Sequence, residues 1–135
     1  MIVGFTGTHE GMTQHQVTQF LRFLGKHRHE ITEFHHGDCV GADADAHDVV
    51  EVAFGNEIIY IHPPSDPKKR AWKKSPHIAR PRPYLERDQK IVDVCDVLVG
   101  APKSLTRPGS LRGQGTWTTI TRAEKVGRPV VMLEP

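Results

Sequence analysis

The chain has 135 residues, 37% of them apolar and 25% charged, with a formal net charge of +2. That length suits one domain with one core, and no apolar run approaches the ~20 residues a bilayer span needs. Cys39 and Cys95 stand far apart and outside any CxxC pair, which excludes a disulfide scaffold and a zinc ribbon and leaves two reduced thiols. The chain opens directly on a strand-like run, Met1-Ile2-Val3-Gly4-Phe5, with neither basic leader nor cleavage signal, and a cytoplasmic protein is expected.

Short β-branched runs at 2–5, 31–34, 58–61, 97–99 and 130–133, each bounded by turn residues, predict five strands. Between the first two, Val17, Phe20, Leu21 and Leu24 recur at helical spacing behind a Thr13/Gln16 capping box, with Gly25 as a stop. Ala46, Val49, Val50 and Ala53 repeat that spacing and predict a helix over Ala42–Phe54. Two more helices are expected over Tyr84–Val94 and 116–126, the last ended by Gly127 and Pro129. Strands apolar throughout and alternating with helices predict an α/β, Rossmann-like three-layer domain on a mainly parallel five-stranded sheet.

The exception is the stretch 62–83. Six prolines forbid a long helix there, so it reads as a long Pro/Lys/Arg-rich insertion after the third strand, a flap or interface element. Residues 66–82 hold seven Lys/Arg against one acid, a net +6 beside −4 for the remainder, which points to local attraction for anions.

In such sheets ligands bind beyond the carboxyl ends of the strands, and three loops are written for that place. The first runs through Gly7, Thr8, His9, Gly11, Met12 and Thr13 into a capped helix; its glycines allow a close anion, or simply a tight turn. The second carries Gly37, Asp38, Cys39, Gly41, Ala42 and Asp43. Asp38 can accept from a ribose or base, while Asp38 or Asp43 can equally cap the following helix. The third begins at Pro102 and resumes at Arg112, Gly113, Gln114, Gly115, Thr116 and Trp117, where glycines, a hydroxyl and a helix N-terminus make the best phosphate candidate.

The phrases Gly4-Phe5-Thr6-Gly7-Thr8, His36-Gly37-Asp38-Cys39-Val40-Gly41-Ala42-Asp43 and Gly113-Gln114-Gly115-Thr116-Trp117, in this order, resemble the SLOG superfamily. This is the Rossmann-like group that contains the DNA-processing protein DprA and the Lonely Guy phosphoribohydrolases; the small bacterial and phage members look most similar. The resemblance covers nearly the whole chain and implies binding of a nucleotide or nucleotide-derived signal, with phosphate on the last Gly-rich loop. Lonely Guy enzymes follow that loop with two acidic residues needed to cleave the N-glycosidic bond. Thr118 and Thr119 stand at those positions here, so the resemblance implies binding ahead of cleavage. It also carries a ligand role over to Arg87, in a Glu86-Arg87 pair.

Other constellations say less. Asp43 and His47 share a helix face at i, i+4 without an evident third metal ligand, and His35 and His36 point to opposite sides of a strand, so no metal site is expected. The basic stretch around Trp72 and Tyr84 suits single-stranded nucleic acid in principle, but a shorter-range role closing over a ligand phosphate or packing on a second subunit fits better. No serine lies on a nucleophile elbow, and Cys39 lacks a partner base. The expectation is a homo-oligomeric binder of a nucleotide-like ligand, with no cofactor and no membrane partner. Phosphoribohydrolase-like cleavage and single-stranded nucleic-acid binding are the alternatives.

Overall fold

A computed structural model describes residues 1–135. Six strands form one parallel sheet: β1 (Ile2–Gly7), β2 (Glu33–His36), β3 (Ile59–Ile61), β4 (His77–Ile78), β5 (Val97–Ala101) and β6 (Val130–Met132), in the order β4-β3-β2-β1-β5-β6. Four helices connect them: α1 (Gln14–Lys26), α2 (Ala42–Phe54), α3 (Tyr84–Val94) and α4 (Gly115–Lys125). The architecture is α/β and consistent with a Rossmann-like fold. No helix is long and apolar enough to cross a membrane.

Helix α1 starts where the capping box places it. Thr13 Oγ1 accepts from the Gln16 amide and Gln16 Oε1 from the Thr13 amide, both at 3.0 Å. The apolar stripes of α1 and α2 meet one sheet face in a core around Phe5, Phe20 and Phe34, whose rings lie 5.4–6.0 Å apart. A smaller core joins α3 and α4 to the other face through Ile91, Val92, Leu98, Trp117 and Ile120. That second layer sits mainly over β1, β5 and β6. Over β2, β3 and β4 the same face carries a stack of rings, His35 on Tyr60 at 4.7 Å and Tyr60 on His77 at 4.1 Å.

Two strands differ from the sequence reading. The sheet has six strands rather than five, because β4 is a two-residue edge strand paired to β3 that no apolar run announces. Strand β2 runs two residues later than 31–34. Ile31 is buried in the loop that precedes it, while His35 and His36 enter the sheet because hydrogen bonds satisfy their rings.

The strand order places the site. The chain steps outward from β1 through β2, β3 and β4, then returns to the other side of β1 for β5 and β6. Crossovers therefore diverge between β1 and β5, and a crevice opens at the carboxyl ends of those strands.

Candidate functional site

At that crevice lies a cleft of about 630 Å³. Gly7 and His9 line it from the end of β1, Gly37, Cys39 and Asp43 from the β2–α2 junction, Arg87 from α3, and Gly113, Gly115 and Thr116 from the start of α4. Residues from all three Gly-rich loops thus border one space, and Lys68 and Lys69 reach it from a 3-10 turn at Pro67–Lys69.

The other residues expected at the site stand elsewhere, for reasons visible in the hydrogen bonds. In the first loop the Thr8 amide donates to Ala101 O, the Gly11 amide to Thr8 O, the Met12 amide to Asp45 Oδ2 and the Thr13 amide to Gln16. Those amides knit β1 to α1 and α2 and do not line the cleft. Gly41 and Ala42 serve the same junction: the Ala42 amide donates to Thr8 O, and Gly41 adopts φ +98° with its Cα against the His9 backbone, where no Cβ fits. Pro102 is buried and accepts from Gln16 Nε2. Trp117 is packed in the second core with Arg107 over its ring, while Arg112 and Gln114 face solvent.

Asp38, the expected ribose acceptor, is fully buried and committed to the chain itself. Its Oδ1 accepts from the Lys73 amide at 3.0 Å and its Oδ2 from Arg70 Nε at 3.2 Å. With the Val40 amide on Lys69 O and the Ala71 amide on Asp38 O, this carboxylate fastens the basic stretch to the second loop. That attachment carries Lys68 and Lys69 to the cleft. Behind it, His36 Nδ1 accepts from the Asp38 amide, so His36 Nε2 bears the proton it donates to His47 Nδ1 at 3.0 Å. His47 Nε2 lies 3.5 Å from Glu51, so Asp43 and His47 have separate partners. No three metal-binding side chains are grouped anywhere in the chain.

The floor of the cleft is polar and buried. Asp43 is 5% exposed, Arg87 4% and Asp88 4%. Arg87 Nη1 donates to Gly37 O at 2.7 Å and to Cys39 Sγ at 3.0 Å, and Nη2 pairs with Asp88 Oδ1 at 3.1 Å. Asp43 Oδ2 accepts from the Cys39 amide at 3.2 Å. Three atoms are left over: Asp43 Oδ1, Arg87 Nε and Asp88 Oδ2 have no partner, and no other buried side-chain nitrogen or oxygen of the protein shares that condition. The Thr119 hydroxyl beside Asp88 gives its single proton to Gly115 O.

Burial dominates the electrostatics here. It pushes the Asp43 carboxyl up to about 7 against the pull of Arg87, and raises Asp88 despite its ion pair. Burial also opposes the charge on Arg87, but Asp88, Cys39 and Asp43 together outweigh it and keep the guanidinium protonated. The helix N-terminus does not activate Cys39; burial, with Asp43 nearby, pushes its thiol up to about 11.

Tyr84 completes the wall. Its ring lies 5.1 Å from the Arg87 guanidinium carbon, and its hydroxyl fills the space a Cβ on Gly115 would need. The sequence reading named neither Tyr84 nor Asp88 as a site residue and brought Lys68 and Lys69 near a phosphate only as part of a basic flap, although one signal for the helix residues was available. Tyr84, Arg87, Asp88 and Ile91 are spaced i, i+3, i+4, i+7, a single helix face, and all four line the cleft. No protein-family model, curated protein or solved structure matches this chain.

Proposed function

We propose that the cleft binds a nucleotide or nucleotide-derived ligand whose phosphate sits at the start of α4. The observation that carries this reading is an uncapped helix start facing two lysines across one cleft. Gln114 at the α4 N-cap makes no side-chain bond, which leaves the first-turn amides free, and Gly113, Gly115 and Thr116 present that turn to the space Lys68 and Lys69 border. The first two Gly-rich loops have given most of their amides to the fold, so the last loop takes the anion alone. The resemblance to SLOG proteins, which place phosphate on the corresponding loop, supports the same reading.

Calorimetric titration with nucleosides and their 5′-monophosphates tests it. The monophosphate binds at least about tenfold more tightly than its nucleoside, because charge-assisted hydrogen bonds contribute about 1.5–3 kcal/mol each. Lys68→Ala with Lys69→Ala removes most of that advantage. Equal binding of nucleoside and monophosphate refutes the proposal.

A second reading, cleavage of the N-glycosidic bond, draws support from the buried carboxyls. The acidic positions after the last Gly-rich loop are threonines, yet Asp43 and Asp88 bring two carboxyls into the cleft from α2 and α3. An acid with its pKa pushed up to about 7 suits proton donation to a leaving group near neutral pH. Release of free base from a panel of monophosphates selects this reading; intact nucleotides after prolonged incubation select binding alone.

A further inference from the structure

We infer that the floor of the cleft, formed by Asp43, Arg87 and Asp88, is a subsite for the hydroxyls of a pentose, and that it discriminates ribose from 2-deoxyribose. The inference rests on the proposed phosphate site and adds what lies beyond the phosphate.

A buried polar atom without a partner costs about 1–3 kcal/mol, and the fold leaves three such atoms in one place while satisfying the rest. Two of them, Asp43 Oδ1 and Asp88 Oδ2, belong to carboxyls; the third, Arg87 Nε, is a donor. A hydroxyl both donates and accepts, so adjacent hydroxyls can serve all three, whereas an ammonium group leaves the Arg87 donor empty. The charge balance agrees. Arg87 and Asp88 form an ion pair and burial favours the protonated form of Asp43, so the floor is close to neutral and suits an uncharged group.

Dimensions point the same way. Tyr84 touches Gly115 with its hydroxyl while its ring centroid lies 5.1 Å from the Arg87 guanidinium carbon, so one side chain reaches from the phosphate site to the floor. A pentose 5-phosphate likewise carries its phosphate at one end and its 2- and 3-hydroxyls toward the other. A free sugar phosphate and a ribonucleotide share this chemistry, and the experiment separates them.

The test is calorimetric titration of the full chain with inorganic phosphate, ribose 5-phosphate, 2-deoxyribose 5-phosphate, and a matched pair of ribo- and 2′-deoxyribonucleoside 5′-monophosphates. The ribo member of each pair binds about 10- to 100-fold more tightly, the worth of one hydrogen bond to a charged group. Tighter binding of the nucleotide pair than of the sugar phosphates identifies the physiological source as a nucleotide; the reverse identifies a sugar phosphate. Asp88→Asn and, separately, Asp43→Asn shrink the ribo/deoxy ratio, with folding of each variant checked by circular dichroism. Lys68→Ala with Lys69→Ala weakens all the esters together and leaves the ratio intact. Equal binding of ribo and deoxy partners that both exceed inorganic phosphate overturns the subsite and spares the phosphate site. Ratios unchanged in both Asp variants also overturn it. Failure of every ester to bind overturns the phosphate site and the subsite with it.

Discussion

The junction of the first two Gly-rich loops and the start of α4 look alike as strings of glycines but differ in what their hydrogen-bonding groups are doing. Where β1 and β2 hand over to α1 and α2, the amides of Thr8, Gly11, Met12, Thr13, Cys39, Val40 and Ala42 all have partners within the protein. At α4 no side chain caps the helix, and the floor beside it holds every unpartnered buried side-chain atom in the chain. One region is closed and structural, the other open and receptive. Glycine content does not separate them; the partner of each N–H does.

Glycine substitution separates the two regions most strongly. A Cβ at Gly41 collides with the His9 backbone, and φ +98° is a conformation side chains avoid, so Gly41→Ala costs about 2–5 kcal/mol. Gly113 also has positive φ, +71°, but its Cβ would meet nothing within 4 Å. Gly113→Ala therefore costs only the ~1–2 kcal/mol of the left-handed backbone. Chemical denaturation of the two variants measures the gap. If Gly41→Ala is as mild as Gly113→Ala, the first junction is not the tight assembly described.

Asp38 links the two regions, and its removal gives the next largest effect. Asp38→Ala deletes the acceptors of Lys73 N and Arg70 Nε and costs about 1.5–3 kcal/mol by denaturant titration. It also frees the stretch that carries Lys68 and Lys69, so binding of phosphate esters weakens although Asp38 does not line the cleft. Undiminished affinity in Asp38→Ala would show that the lysines are held by something else.

The helices, the central strands and the α/β frame were readable because they follow from local rules, whereas the closure of the first two loops, expected to bind ligand, depends on hydrogen bonds between distant segments. Thr13 and Gln16 announce a capping box, Ala46 to Ala53 a helix face, and β-branched runs the central strands. The floor of the cleft followed no such rule. Asp38 and Asp43 lie five residues apart in one loop phrase, yet one is spent on Arg70 and Lys73 while the other keeps a free oxygen. That difference arises from a contact 32 residues away in sequence, which no local pattern encodes. Strand β4 escaped for the related reason that its two residues are held by an edge pairing alone. Asp88 was within reach, since its helical register with Tyr84, Arg87 and Ile91 marks a single helix face.

An open site also carries a cost, which shows as a dependence of stability on pH. In the folded chain burial pushes Asp43 up to about 7 from its ordinary 3.8. Between those values the unfolded chain gives up a proton that the folded chain keeps, so the stability from Asp43 is full below pH 3.8 and is lost as pH rises through 7. Burial lowers His35, His36 and His62 from 6.5, His62 to about 4, which has the opposite sign. Their contribution is present above pH 6.5 and is lost as pH falls toward 4. The buried acid and the buried histidines therefore pull stability in opposite directions across this range. Asp43→Asn removes only the alkaline loss, so its melting temperature matches wild type at pH 4 and exceeds it at pH 8. A gap that does not widen with pH would mean that Asp43 is not held as a buried acid. A gap that widens, in a variant that no longer distinguishes ribose from deoxyribose, ties the instability of that carboxyl to its use.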